Sequence, residues 1–510
     1  MRALSRTIIL AATFLIAGSA LLDIAPAISA EKKPPAQVLF TNVNIFDGKS
    51  DKLAEGMSVL VEGNLIKTVS AEQIATAADA TVIDGGGRTL MPGLIDMHSH
   101  LGLQLAGIMA LETATWDEIG ARTAMAAEDW LLDGFTTVRD VGGMNGKGVK
   151  RLVDNGDIPG PRIYPSGAII SQTSGHADTR NLNMRNPMLN SVMDSNIERL
   201  DIARTVDGRP AVLAAVRRNL KLGASQIKIM GGGGVATEYD PWHSTGYTMD
   251  ETRAAVEAAR DYGTYVASHL NHPASIKRAL EAGVISIEHA FAIDESTMKM
   301  LVDKGAYLST QMTGTSEELF KLPSLTAESL RKLSIAREDM KHYFELVKTY
   351  QPKQVFAIDA VLTLPPQADQ QRAHEIWLFA HHFGNHAMLK AATSTAGELL
   401  AESGDLNPYP LGAIGVIEAG AYADMLLVDG NPLEDITVIG GNEMWYDAPP
   451  RDGVETIRII MKDGKVYKNT LSAASPASPN EDEATIRARL TIDGRIAIYG
   501  VQFKTDSAEL

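Results

Sequence analysis

The 510-residue sequence contains no cysteine. That absence excludes disulfides, a lipid-anchored cysteine and thiolate metal ligands, so any bound metal must be held by nitrogen and oxygen. Positive charge is in deficit: 47 Lys and Arg stand against 63 Asp and Glu, for a formal net charge of −16. Such a surface repels phosphate backbones and argues against a nucleic-acid partner. After the first 30 residues, no run is long and apolar enough to span a bilayer, which takes about 20 residues. Within those first 30, Arg2 and Arg6 precede an apolar run from Ile8 to Leu22, and small residues follow around Ala27–Ala30. This is the order of a secretory signal peptide, so a periplasmic or secreted protein with no membrane span after its removal is expected. Loss of Arg2, Arg6 and Asp23 would move the charge to −17. Hydrophobic residues make up 45% of the chain, enough for a large core, and the length accommodates one large domain and a smaller one.

Residues 37–95 read as short alternating strands separated by Gly-rich turns: VLFTNVNIFDG, SVLVEGNLIKTVS and TVIDGGGRTLMPG. From residue 94 the rhythm changes to short apolar runs alternating with helical patterns. The runs are Leu94–His100, Phe135–Val141, Arg162–Ile170, Gln226–Met230, Tyr265–Leu270, Ile285–His289, Ala306–Gln311 and Gln354–Ala360. Eight strand-then-helix units predict an α/β fold, a closed (β/α)8 TIM barrel over residues 96–405. The long connections 171–224 and 312–353 would lie near its mouth, where substrate is chosen. Residues 406–469 return to strand text and would complete a small β-sandwich-like domain begun by 37–95, assembled from both flanks of the barrel. Residues 470–510 open on a flexible Ser/Pro/Ala linker.

The sharpest local signal is His98-Ser99-His100 at the end of the first strand. Alternate strand residues share a face, so both imidazoles point the same way, and imidazole suits zinc and similar ions. Strand four ends in Gln226-Ile227-Lys228-Ile229-Met230, which sets a lysine among apolar neighbours. A buried ammonium is costly, so Lys228 must pair, lose its proton or be modified. A neutral amine can take up carbon dioxide to give a carbamate, an anionic oxygen ligand able to bridge two metals. His269, His289 and Asp359 end strands five, six and eight, and in a barrel all these ends meet at one mouth. Gly231–Gly234 is not followed by GK[ST], so it is a close-approach turn rather than a phosphate loop. His381, His382 and His386 fall in a helical stretch and read as structural or surface residues.

The blocks TLMPGLIDMHSHLG, FTTVRDVGG, SQIKIMGGGG, YVASHLNHPASIKRALEAGVISIEHA, AIDA and GVIEAGAYADMLLVDGNPLEDI resemble the amidohydrolase superfamily across residues 37–469. The similarity is greatest to its imidazolonepropionase-like branch, which includes prolidase-type dipeptidases. The resemblance implies two divalent metal ions, with zinc expected, although manganese and cobalt accept the same ligands. His98 and His100 would bind the more buried ion, His269 and His289 the second, and a carboxylated Lys228 would bridge them. Asp359 would bind the first ion and take the proton of an attacking water, whose pKa two metals lower. His176, in SGHAD, would hold the substrate carbonyl, and Tyr239, in GGVATEYDP, would contact substrate. The family text places the strand-five ligand at His269 rather than at His272. The sequence departs from the family before the acid of strand eight, where Ala357-Ile358 replaces the usual Gly-Thr-like pair. The following VLTLPPQADQQ matches no substrate pattern.

The implied activity is cleavage of an amide bond in a dipeptide or N-acyl amino acid. Alternatives on the same fold are a deaminase, or a hydrolase of a cyclic amide, ester, lactone or phosphotriester. A mononuclear deaminase would not need a bridging lysine, and a relative that had lost its metal would not keep all six ligands. The expected partner is a small molecule or short peptide, and a homo-oligomer is compatible with the sequence. The tail IAIYGVQFKTDSAEL resembles the opening strand of an outer-membrane-protein-A-like, peptidoglycan-binding domain, which implies a weak tether to the cell wall.

Overall fold

The computed structural model describes residues 35–471, except 106, 144–146, 191–194, 324, 362 and 452. The expected signal peptide and the tail from 472 onward lie outside the described residues. Among the described residues, no helix is long and apolar enough to cross a membrane.

An eight-stranded sheet draws on both ends of the chain. Gln37–Ile45 pairs antiparallel with Ala54–Glu62, in the register Val38↔Val61. Thr89–Pro92 pairs antiparallel with Met425–Val428, in the register Met425↔Pro92. The latter continues to Ile457–Lys462 and Lys465–Asn469. Alternation divides the side chains of these strands between two cores. Leu90, Leu427, Ile459 and Met461 join Phe40, Val59 and Val61 in a core belonging to the sheet itself. Met91, Leu426 and Ile460 turn the other way, into the main core.

The remaining strands are parallel and form two sheets. Leu94–Ser99, Phe135–Asp140 and Arg162–Pro165 make one. The other holds, in order, Ala203–Thr205, Ile169–Ser171, Ile227–Met230, Val266–Leu270, Ser286–His289, Tyr307–Ser309 and Lys353–Gln354. Most of these strands are buried throughout, as parallel strands covered by helices are. Helices alternate with them, and several begin at a capping side chain. Thr248 and Glu251 form a reciprocal capping box before Met249–Asp261, and Asp294 caps Glu295–Asp303.

Two expected strands differ from the sequence reading. Arg162–Ile170 is broken into Arg162–Pro165 and Ile169–Ser171 because Gly167 takes φ +76°. The expected strand Gln354–Ala360 is regular only at Lys353–Gln354. Beyond it the backbone still binds the first strand, with Met97 N donating to Phe356 O at 2.9 Å and Asp359 N to His98 O at 2.8 Å. Asp359 itself has φ +54°, which ends the extended run.

Candidate active site

The C-terminal ends of these parallel strands converge. His98, His100, Lys228, His269, His289 and Asp359 line one cavity of about 700 Å³, and His176 joins them. His100 Nε2 lies 3.3 Å from Asp359 Oδ1 and His98 Nε2 lies 3.6 Å from it. Lys228 Nζ is 3.3 Å from His98 Nε2. The His269 ring sits 4.2 Å from that of His289, centroid to centroid, and 4.1 Å from that of His176, on which it stacks. Two of these residues hold unusual backbone conformations. His289 has φ +71° and Asp359 φ +54°, a region where non-glycine residues store strain, often at functional sites.

Each of the four imidazoles at the strand ends has one nitrogen facing an acceptor. His98 Nδ1 lies 2.8 Å from Glu288 Oε2, and His100 Nδ1 lies 2.6 Å from the carbonyl of Gly142. His289 Nδ1 lies 2.7 Å from Gln311 Oε1, and His269 Nε2 lies 3.1 Å from the carbonyl of Gly233. An acceptor favours the proton on the nitrogen it faces and leaves the other nitrogen as the one available to a metal. This is how histidines are prepared for metal. In His98 that nitrogen faces Lys228 Nζ and Asp359, and in His100 it faces Asp359. His98, His100 and Asp359 are close enough together to hold one ion.

Burial shapes the charge of the site. It pushes the His98 imidazole down to about 4, helped by Lys228 and opposed by Asp359 and Glu288. Burial likewise holds His269 and His289 well below the ordinary histidine range. Burial lowers Lys228 to about 8, against the attraction of Glu288 and Asp359. For Asp359, burial acts upward, but His98, His100 and His289 outweigh it and hold the carboxyl well below its usual range. Glu288 is treated the same way: burial raises it, and Arg139 and His98 more than offset that.

The six expected ligands and His176 are therefore brought together. Tyr239 is not: its side chain is 43% exposed and outside the cavity lining, although its carbonyl accepts from Ser174 Oγ at 3.2 Å. His272 serves instead as the cap of the helix Pro273–Ala282. His381 stacks on Trp377, His382 on Phe344, and His386 Nε2 lies 3.0 Å from the carbonyl of Lys49, all away from the site. The sequence reading missed the residues behind the ligands. Glu288 accepts from Arg139 Nη2 at 2.8 Å and Ser286 Oγ at 2.6 Å as well as facing His98, and both Arg139 and Glu288 are fully buried. A carboxylate written into the apolar strand beside His289 was the available signal. Gln311 and Gly142 carried none.

Residues 89–360, more than half of the sequence, match the amidohydrolase family model. The chain is 29% identical over 400 residues to ochratoxinase of Aspergillus niger, covering 74% of this chain and 75% of that one. Among solved structures it resembles a prolidase complexed with N-methylphosphonate-L-proline, at 30% identity and TM-score 0.75, over 85% of this chain and all of that one. It also resembles an Xaa-Pro dipeptidase with bound methionine in its active site, at 27% identity and TM-score 0.71, again over 85% of this chain and all of that one. These relatives imply an α/β fold of the TIM-barrel type and amide hydrolysis in general. Their family is typically metal-dependent, which agrees with the His and Asp donors described above. The chain belongs to the amidohydrolase family and is a hydrolase acting on carbon–nitrogen bonds.

Proposed function

We propose that this chain is a secreted, binuclear metal-dependent amidohydrolase that cleaves the amide bond of an N-acyl amino acid or dipeptide. The observation that carries the reading is the set of four imidazoles, each backed by an acceptor at one ring nitrogen, gathered with Asp359 and Lys228 around one cavity. In this reading the two parallel sheets form one (β/α)8 barrel over residues 96–405. The eight-stranded sheet is then a small β domain built from 37–95 and 406–469. Residues 1–30 direct export, which suits scavenging of peptides or amides outside the cytoplasm.

The donor set, all nitrogen and oxygen, fits two divalent ions, zinc foremost. His98, His100 and Asp359 would hold one and His269 and His289 the other, with Lys228 between them. When bound, such a pair supplies a nucleophile from water near neutral pH and polarises the scissile carbonyl. Lys228 fits carboxylation: among the described residues no carboxylate accepts from its buried amine, and a group lowered to about 8 offers more neutral amine at pH 7 than an ordinary lysine. Asp359 is held ionised and so can accept the proton of the attacking water and pass it to the leaving nitrogen. His176, at the cavity wall, holds the substrate carbonyl.

The cavity walls favour an uncharged acyl group. On one side lie Leu103, Leu111, Ile169, Ile197 and Met230. An adjoining cavity of about 830 Å³ shares His176, His269, His289 and Asp359 and is walled by Phe291, Leu319, Leu322, Leu325 and Leu333. Among the described residues, Asp359 is the sole carboxylate in either lining, so a free N-terminal ammonium has no second acid to meet. N-acyl amino acids therefore stand ahead of free dipeptides.

The test is elemental analysis of wild type and Lys228→Ala, grown with zinc and bicarbonate, followed by amine release from a panel of both substrate classes. About two ions per chain in wild type, lost in the variant, with N-acyl amino acids cleaved faster, is the expected result. One ion in both proteins would refute the bridge and bring the deaminase reading forward.

A further inference from the structure

A buried ion pair stands behind His176. Lys332 is fully buried and donates to Asp240 Oδ1 at 2.9 Å and to the carbonyls of Thr237 at 2.8 Å and Asp240 at 2.5 Å. The other carboxylate oxygen, Asp240 Oδ2, accepts from Gly234 N at 2.7 Å and faces His176 Nδ1 at 2.8 Å. Lys332 belongs to the helix Ala327–Asp339, within the long connection expected to choose substrate. The same helix grips the 234–242 loop at two more points: Thr326 Oγ1 donates to Glu238 Oε2 at 2.7 Å, and Trp242 Nε1 to Asp339 Oδ2 at 2.9 Å. The loop carrying His176 is fastened to that loop in turn, through Ala177 N to Thr237 Oγ1 at 2.9 Å.

Removing two charges from water is expensive, and such a pair often contributes no more to stability than apolar residues would. Three loops could be packed with leucine. What a leucine could not do is choose an edge of an imidazole. The Asp240 carboxylate, acceptor-only, requires an N–H from the ring and so places the proton on Nδ1. Turning the ring over would set a carbon against a buried carboxylate and leave one of its contacts unmade. His176 lines both cavities, so the edge that Asp240 selects decides which ring atom the substrate meets.

We propose that Asp240, braced by Lys332, is a positioning residue that fixes His176 with Nδ1 turned inward and Nε2 toward the substrate. This rests on the reading of His176 as a substrate-holding group. It implies that the helix Ala327–Asp339 is coupled to the reaction centre, since Leu333 of that helix walls the second cavity beside Lys332.

The experiment is a double-mutant cycle on the metal-loaded full chain, with Asp240→Asn, His176→Ala and their combination. Metal content and folding are checked for each, and kcat and KM are measured on the best N-acyl amino acid. Asp240→Asn is expected to lower kcat roughly 10- to 100-fold with the metal count unchanged. In the His176→Ala background the same change should cost less than about threefold. Equal losses in both backgrounds would overturn the proposal and leave the ion pair as a loop clamp. Should Asp240→Asn fail to fold, Asp240→Asn with Lys332→Met removes both buried charges and is read in the same cycle. A second measurement needs no substrate. One downfield imidazole N–H proton resonance should vanish in both Asp240→Asn and His176→Ala, and survival of every such resonance in Asp240→Asn would also overturn it. If wild type cleaves nothing in the panel, the functional reading fails while the resonance still decides the positioning role.

Discussion

Glu288→Gln separates what holds the site together from what prepares it for metal. The Glu288 carboxylate is fully buried, bound by Arg139 Nη2 at 2.8 Å and Ser286 Oγ at 2.6 Å, and faces His98 Nδ1 at 2.8 Å. Glutamine keeps the size and removes the charge, which leaves the buried guanidinium of Arg139 without its counter-ion. Breaking a buried pair from one side costs about 3–5 kcal/mol. The loss should appear in urea unfolding of the metal-stripped protein followed by circular dichroism. Weakening the acceptor that orients His98 should also lower zinc affinity roughly 10- to 100-fold, or about 1.4–2.8 kcal/mol, read by competition with a chelating dye. The double variant Glu288→Gln/Arg139→Met leaves no unpaired charge and should recover most of the unfolding free energy while zinc affinity stays low. A single variant within about 1 kcal/mol of wild type would refute the reasoning, because a surface-like pair is worth no more than that. A double variant that regains zinc affinity together with stability would show that the two effects are one.

Lys228→Met should stabilise the metal-free, bicarbonate-free protein at pH 7. The folded lysine, lowered to about 8, is charged there at a penalty relative to the unfolded chain. The unfolded state binds more protons between that value and its own, about 10.4, so wild-type stability rises with pH over that window and the gap to the variant closes. A constant gap from pH 7 to 10.5 would contradict the burial argument. Gly234→Ala places a Cβ within 2.6 Å of His176 Nδ1 and of His269 Nε2, so activity should fall while the fold survives; unchanged turnover would show that neither ring needs its present place. Thr248→Ala removes one half of the capping box on Met249–Asp261 and should cost about 1 kcal/mol in unfolding without changing metal content.

The parts of this protein legible in its sequence are those governed by short-range rules. His98 and His100 share a face because strand side chains alternate. Lys228 was conspicuous because its neighbours Ile227 and Ile229 are apolar, and the strand ends meet because parallel strands point the same way. The same local rules placed Leu90 and Leu427 in one core and Met91 and Leu426 in another. They failed where a backbone leaves the regular path. Gly167 divides the third expected strand, and the left-handed turn at Asp359 ends the eighth. That second failure is informative: in a regular strand Asp359 would alternate with Ile358 and Ala360, whereas at φ +54° its carboxylate comes to lie within 3.3 Å of His100.

The residues that stand behind the expected ligands and His176 were illegible for a different reason. Glu288 meets His98 across 190 positions, Gln311 meets His289 across 22, and Lys332 meets Asp240 across 92. No periodicity links such pairs, because each bond is made by two elements whose distance along the chain is incidental to their distance in space. Ligand identity is set by what a strand end can present, and a strand end is a local object. Which nitrogen a histidine presents is set by what stands behind it, and that belongs to the whole fold. Substrate choice should follow the second rule: the helix Ala327–Asp339 contributes Leu333 to the cavity wall and Lys332 to the brace on His176, so exchanging this helix should change specificity and turnover together. Swapping only Leu333 for a smaller residue should enlarge the accepted acyl group and leave kcat for the original substrate nearly intact. A fall in kcat equal to that of Asp240→Asn would mean that the wall and the brace cannot be separated.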